Sequence, residues 1–229
     1  MAIDHLALRR EFLLRLLAAG AFALSPASFA EPQREVPDKL PAGKSLYRLK
    51  GSLRINGEAA TAESLIGNND TLTTGPDSQA IFVVGKDAFL LHENSELLLS
   101  GDDHLLVSGL RLVTGGLLSV FGRSRHEIET PTATIGIRGT GLFVKVIPSM
   151  TYVCTCYGTT TITATADTDS TETILARHHD APRYVGGDGK IYVAAVLDHS
   201  DDELTLIEAL VGRKPPFEDS AESKGYYGN

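Results

Sequence analysis

The segment from Glu129 to Gly158, ETPTATIGIRGTGLFVKVIPSMTYVCTCYG, constrains the fold more than any other part of the chain. Thr132, Thr134, Gly136 and Arg138 share one parity, and Ala133, Ile135 and Ile137 share the other. In a strand successive side chains point to opposite faces, so one face here is wet or hydrogen-bonding and the other is core. Gly139-Thr140-Gly141 then offers two residues free to take positive φ, which predicts a bulge or sharp bend. Beyond it Leu142, Val144 and Val146 alternate with Phe143, Lys145 and Ile147, and the two cysteines of the chain follow at 154 and 156.

The preceding sequence repeats this style in short pieces. Gln79–Val84, Ala88–Leu91, Glu96–Leu99, His104–Val107, Leu110–Val113 and Leu117–Phe121 read as strands separated by turn formers such as Gly85-Lys86-Asp87 and Gly115-Gly116. Short strands at such spacing predict an all-β fold, either a β-sandwich or a solenoid-like β-roll. No stretch here is long enough for the crossover helix that a parallel βαβ unit needs. The one candidate helix before residue 200 is Glu58–Leu65, ended by Asn68-Asn69-Asp70. Near the C-terminus Ser200-Asp201-Asp202-Glu203 is a capping box, and Leu204, Ile207, Leu210 and Val211 form an apolar stripe before Gly212 and Pro215-Pro216. A helix this short is marginal alone and must dock on the β domain, over or beside the cysteine face.

Arg9-Arg10-Glu11-Phe12-Leu13, an apolar run to Leu24 and small residues before Glu31 read as an export signal over 1–30, of twin-arginine type, cleaved near Ala30. Residues 31–44 hold three prolines and read as a linker. A β domain is expected over 45–165, an appendage with a hairpin about Gly186-Gly187-Asp188-Gly189 and the helix over 166–217, and a disordered tail over 218–229. No segment after the leader reaches the apolar length of a membrane span, so a periplasmic mature protein is expected. The net charge of −8 would repel a phosphate backbone, which argues against nucleic acid as a partner.

Glu129-Thr130-Pro131-Thr132-Ala133 followed by Ile137-Arg138-Gly139-Thr140 resembles the signature of FecR domains, the family named for the ferric-dicitrate signalling protein. The segments Gly67–Ala80, Asn94–Leu97 and Leu112–Gly116 resemble further positions of that family, so the resemblance runs from about Leu46 to Ile162. Its signature residues are Thr130, Pro131, Arg138, Gly139 and Thr140. The resemblance implies an all-β periplasmic domain that senses or binds something in the envelope. The regulators that name the family resemble an anti-sigma helix bundle, a membrane span and then this domain. Here an export signal is expected in place of the bundle and span, so a direct hold on a sigma factor is not expected.

Cys154 and Cys156 lie at i and i+2 of a strand-like run and therefore share a face. Setting Gly158 on the family's glycine puts Val153 and Thr155 on the core side and both thiols on the other. Three roles are open. The cysteines can be small buried hydrophobes. They can form a disulfide, although an extended pair about 6.6 Å apart at Cα lies at the far edge of bridge geometry. They can also ligate a metal together with His178 and His179, and His199 lies further on beside Asp198. One or two histidines with two thiolates suit zinc or copper. Against this, each histidine can also sit at a strand end facing solvent. No G-x-S-x-G or H-E-x-x-H pattern points to a hydrolase.

The expected function is thus a non-enzymatic periplasmic binding or signal-sensing module whose partner is an envelope protein or small ligand. The alternative is a metal-binding or thiol-redox protein using Cys154 and Cys156. A third reading is a structural β module that pairs with a partner through its acidic C-terminal helix.

Overall fold

The computed structural model describes residues 36–101 and 107–218. The expected leader, the start of the linker, His104–Leu106 and the tail from residue 219 lie outside the described residues. Fourteen strands are described. They begin with β1 (Leu46–Lys50), β2 (Leu53–Ile55), β3 (Glu58–Ala59), β4 (Thr71–Thr74), β5 (Gln79–Val84), β6 (Asp87–Leu91) and β7 (Glu96–Ser100). They continue with β8 (Gly109–Val120), β9 (Arg125–Glu129), β10 (Ala133–Ile147), β11 (Met150–Ala164), β12 (Thr171–Ala176), β13 (Arg183–Gly186) and β14 (Ile191–Val193). The helix α1 (Asp201–Leu210) follows. The chain is mostly β, as the sequence predicts.

Pairing resolves the sheet into two layers joined through three long strands. The first half of β8 pairs with β7 and, in parallel, with β9, whereas its second half pairs with β6 and β10. The first half of β10 lies between β9 and the second half of β11, and its own second half lies between β8 and the first half of β11. β11 completes the pattern, with β13 beside its start and β12 beside its end. The result is a large mixed sheet that passes round corners and does not close into a barrel. Strands that switch layers need a bend, and each bends at a glycine of positive φ: Gly115 in β8, Gly139 in β10 and Gly158 in β11.

Hydroxyls collect the backbone groups that lose partners at these corners. Ser95 Oγ accepts from Gly116 N at 3.0 Å in β8. In β10 the Thr140 hydroxyl lies 3.0 Å from the Thr159 carbonyl, across a register shift between Arg138 and Gly141. Thr155 and Thr160, on either side of Gly158, bond to each other at 2.6 Å. The predicted bulge at Gly139-Thr140-Gly141 is therefore present, and the predicted alternation holds, with Ala133, Ile135 and Ile137 buried and Arg138 exposed.

The inner faces of both layers share one core, including Leu72, Phe82, Phe89, Leu97, Leu112, Leu142, Val144, Val153 and Ile162. A second cluster lies on the outer face of the layer holding β5, β6 and the far halves of β8, β10 and β11. There Ile81, Leu90, Leu118, Phe143, Cys154 and Cys156 pack beneath Leu204, Ile207 and Leu210 of α1. Burying such an apolar stripe contributes about 1.5–3 kcal/mol per side chain. The helix is thus docked on the cysteine face. Its capping box forms as predicted: Ser200 Oγ accepts from Glu203 N, and Glu203 Oε2 accepts from Ser200 N at 2.9 Å. At the other end Gly212 has φ +72, and Leu40 N of the linker donates to Leu210 O at 2.9 Å.

Two local expectations are corrected. Glu58–Leu65 is not helical, because Asn56 (φ 52) and Gly57 (φ 87) form a two-residue turn that folds β3 back on β2. Asn56 fixes it by donating to Asp70 Oδ1 at 2.7 Å and accepting from Thr71 N at 2.9 Å. Leu110–Val113 and Leu117–Phe121 are not separate strands but belong almost wholly to β8, since Gly115-Gly116 bends the strand without ending it. After β11 a short turn leads into a further strand, β12, paired antiparallel to the end of β11. The expected hairpin at Gly186–Gly189 is present, joining β13 to β14.

The corners give a direct expectation for stability. A Cβ on Gly158 would lie 2.6 Å from the Gly139 carbonyl oxygen, at a φ of +90. Gly158→Ala should therefore destabilise the fold by at least about 2 kcal/mol, read as a lower urea midpoint at unchanged slope.

Candidate functional site

The two thiols owe their place to the corner in β11. Before Gly158 the strand carries Val153 and Thr155 toward the shared core and Cys154 and Cys156 toward α1, as the sequence register predicts. Both cysteines are fully buried and unbridged.

Histidines reach this face from two further segments. After β12 the Asp180 carboxylate accepts from Arg177 N at 2.6 Å, which turns the chain. His179, at φ 53, then donates its backbone N–H to Cys156 O at 2.9 Å. Its side chain is pinned beside the thiols, with Nδ1 3.5 Å from Cys154 Sγ. The second segment is the lead-in to the helix. His199 precedes the N-cap, stacks on Phe143 at 4.7 Å and brings Nε2 to 3.0 Å from His179 Nδ1.

A carboxylate completes the cluster. Asp201, the first residue of α1, lies 3.0 Å from His179 Nε2 and 2.9 Å from His178 Nε2. An acid at a helix N-terminus also meets the positive end of the helix dipole. The far end of α1 is held by a second polar group. Glu208, buried, accepts from the Tyr157 hydroxyl and from Arg213 Nε, the latter at 2.6 Å. Arg213 also donates to Lys86 O at 2.7 Å.

The electrostatics follow from these contacts. The Cys156 thiol, bonded to Cys154, and then the two imidazoles draw the Cys154 thiol down to about 3, against the effect of burial. Burial pushes the Cys156 thiol up, and the neighbouring Cys154 sulfur adds to it. Burial alone would lower His179, but Asp201 and Cys154 more than offset it and raise it to about 9. The pair thus favours a Cys154 thiolate facing a His179 imidazolium.

Two donor groups suit a cation. Cys154, Cys156, His179 and His199, all buried, place four ligand atoms within 4.8 Å of one another. His178, His179 and Asp201 form a second, partly buried set. Of the predicted ligands, Cys154, Cys156 and His179 are brought together, while His178 sits on the Asp201 side and His199 occupies the fourth place. His178 and His179 do not face solvent from a strand end, since both turn inward to Asp201. Asp201 was legible only as a helix acid. Its signal, with that of His199, was the capping box itself: a helix docked on the cysteine face sets the residues around its cap above the thiols.

The signature residues do different work. The Thr130 hydroxyl accepts from Ala133 N at 2.9 Å and contacts Thr151 Oγ1 at 2.8 Å. Gly139 and Thr140 form the β10 corner, while Pro131 and Arg138 are exposed. Ser95 and Gly116, read from separate fragments of the resemblance, meet at the β8 corner. These residues shape the fold and lie apart from the thiol cluster.

No family model and no curated protein matches this chain. Among solved structures, a candidate anti-sigma factor from Parabacteroides distasonis ATCC 8503, determined at 1.65 Å, aligns with TM-score 0.46 and 11% identity. That alignment covers 60% of this chain and 64% of the neighbour, less than two thirds of its length. A second structure of the same description, at 2.50 Å, gives TM-score 0.45, with the same identity and coverage.

The anchor at the far end of α1 yields a testable outcome. Removing the buried Glu208 carboxylate leaves Arg213 and the Tyr157 hydroxyl without their partner. Glu208→Ala should cost about 3 kcal/mol of stability, measured by urea unfolding, whereas breaking an exposed ion pair such as Lys44–Glu63 should cost less than about 1 kcal/mol.

Proposed function

We propose that this chain is a non-enzymatic binding or signal-sensing module of the cell envelope, of FecR type, exported through its twin-arginine leader and acting in the periplasm. The class comes from the signature residues, whose buried members Thr130 and Thr140 hold the turn before β10 and the corner within it. One observation carries the non-enzymatic half. Cys154, His179 and Asp201 form a nucleophile, base and orienter in series, at 3.5 and 3.0 Å. Yet the sulfur is fully buried beneath α1 and its stripe of Leu204, Ile207 and Leu210. A nucleophile sealed in a packed cluster has no room for a substrate. No helix among the described residues is long and apolar enough to cross a membrane.

Two measurements test this reading. The native exported protein should resist iodoacetamide at both thiols until urea is added. Rapid alkylation of Cys154 in the folded protein would mark an accessible nucleophile and overturn the non-enzymatic assignment. On fractionation the wild-type chain should appear in the periplasm with its N-terminus near Glu31, and the Arg9→Lys/Arg10→Lys variant should be retained in the cytoplasm. Equal export of that variant would rule out the twin-arginine route.

A further inference from the structure

The cluster beneath α1 poses a problem of proton placement. His199 Nδ1 lies 2.7 Å from the Leu197 carbonyl, which can only accept, so this nitrogen carries the proton. His179 Nε2 lies 3.0 Å from the Asp201 carboxylate, which fixes the proton there in the same way. Unless a further proton is taken up, the nitrogens left over, His199 Nε2 and His179 Nδ1, direct their lone pairs at each other across 3.0 Å. On the same side lie Cys154 Sγ, 3.5 Å from His179 Nδ1, and Cys156 Sγ within 4.8 Å of all three. Four electron-rich atoms converge on one buried point.

Something positive has to occupy the space they share. A single proton on His179 Nδ1 can satisfy one acceptor at a time and leaves Cys156 outside the arrangement. A tetrahedral ion satisfies all four. With bonds of about 2.3 Å to sulfur and 2.0–2.1 Å to nitrogen, its ligand atoms stand about 3.3–3.8 Å apart; here His179 Nδ1 lies 3.0 Å from His199 Nε2 and 3.5 Å from Cys154 Sγ, and no two of the four atoms are more than 4.8 Å apart. The outer contacts match as well: a carboxylate behind one ligating imidazole and a backbone carbonyl behind the other are the usual partners of metal-bound histidines. Four protein donors, all on buried residues, leave no open position on a tetrahedral ion, the mark of a structural site rather than a catalytic one.

We infer that Cys154, Cys156, His179 and His199 form a closed S₂N₂ site for a zinc-class divalent ion, with Asp201 orienting His179. The ligands come from β11, from the turn after β12 and from the residue before the helix cap, so the ion fastens the N-terminal end of α1 to the sheet. His178, which faces Asp201 from the other side, is a neighbour of the site and not a ligand. Zinc fits this donor set without any redox step, and both sulfurs bind it as thiolates, with release of the protons that the cluster holds without the ion.

The test is elemental analysis of the full chain purified from the periplasm, followed by Co(II) exchange. The expected result is close to one zinc per chain, with a Co(II) form showing thiolate charge-transfer bands and the intense visible bands of tetrahedral cobalt. His199→Gln and Cys156→Ser should lose or alter those bands, and His178→Gln should leave them unchanged. Asp201→Asn, which keeps the shape of the cap, should weaken Co(II) binding about 10–100-fold, read by competition with a chelating dye. Chelation of the wild-type protein should unmask both thiols to iodoacetamide without urea. A wild-type protein that contains no metal and gives no cobalt bands would overturn the site, and so would bands that survive both Cys154→Ser and Cys156→Ser. Either result concerns the ion alone and leaves the periplasmic module reading to its own export and alkylation tests.

Discussion

Strands β8, β10 and β11 each serve both layers, and the rest of the molecule depends on the three bends that let them do so. A strand that changes layer must break its ladder at the corner, where N–H and C=O groups lose their partners in a place that water does not reach. Glycine at 115, 139 and 158 supplies the backbone conformation. The hydroxyls of Ser95, Thr140, Thr155 and Thr160 then take over the polar groups or pair with one another. Gly139 and Gly158 sit back to back, so that the two corners are close enough for a single Cβ to collide with the facing backbone. Bend and hydrogen-bond repair are therefore one structural device, used once in each of the three strands.

This geometry also decides where the chemistry of the chain can sit. Beyond the corners, the far halves of β10 and β11 are covered on one face by the shared core and on the other by α1. Two cysteines on the second face are consequently buried, and so is whatever reaches them. Burial of ionisable groups is costly unless they pair. Cys154, His179 and Asp201 meet that condition by standing in series, each within reach of the next. The helix contributes twice, through its apolar stripe and through the positive end of its dipole beside Asp201.

Much of this was legible in the chain. Alternation fixed the faces of residues 133–137, the Gly-Thr-Gly run announced the bulge, parity set Cys154 and Cys156 on one face, and the resemblance, through Gly158, put that face away from the core. Ser200 and Glu203 declared the cap. What escaped was tertiary. Gly115-Gly116 reads identically as a turn between two strands or a corner within one, because local sequence does not say whether the chain reverses or merely changes layer. Asn56-Gly57 was overridden by the helical composition of the residues after it. His199 lies more than forty residues from the thiols, and only the docking of α1 brings it to them. Its neighbour His178, adjacent to His179 and as polar, was the natural choice from spacing alone.

The two ends of α1 are held by unlike means, and the difference bears on how the helix stays down. At its C-terminal end Glu208 bridges Tyr157 of β11 and Arg213, and Arg213 in turn binds the backbone beside β6. At its N-terminal end the contacts converge from β11, the turn after β12 and the helix lead-in on a single buried point. Between them Leu204, Ile207 and Leu210 supply apolar contact that slides easily, since it has no directional preference. Directional bonds at both ends convert that contact into one register. The helix and its flanks, with Ala194, Leu197 and Phe217 packed on the same cluster, then shield Phe143, Tyr152 and both sulfurs together, and the outer face of the layer behaves as interior.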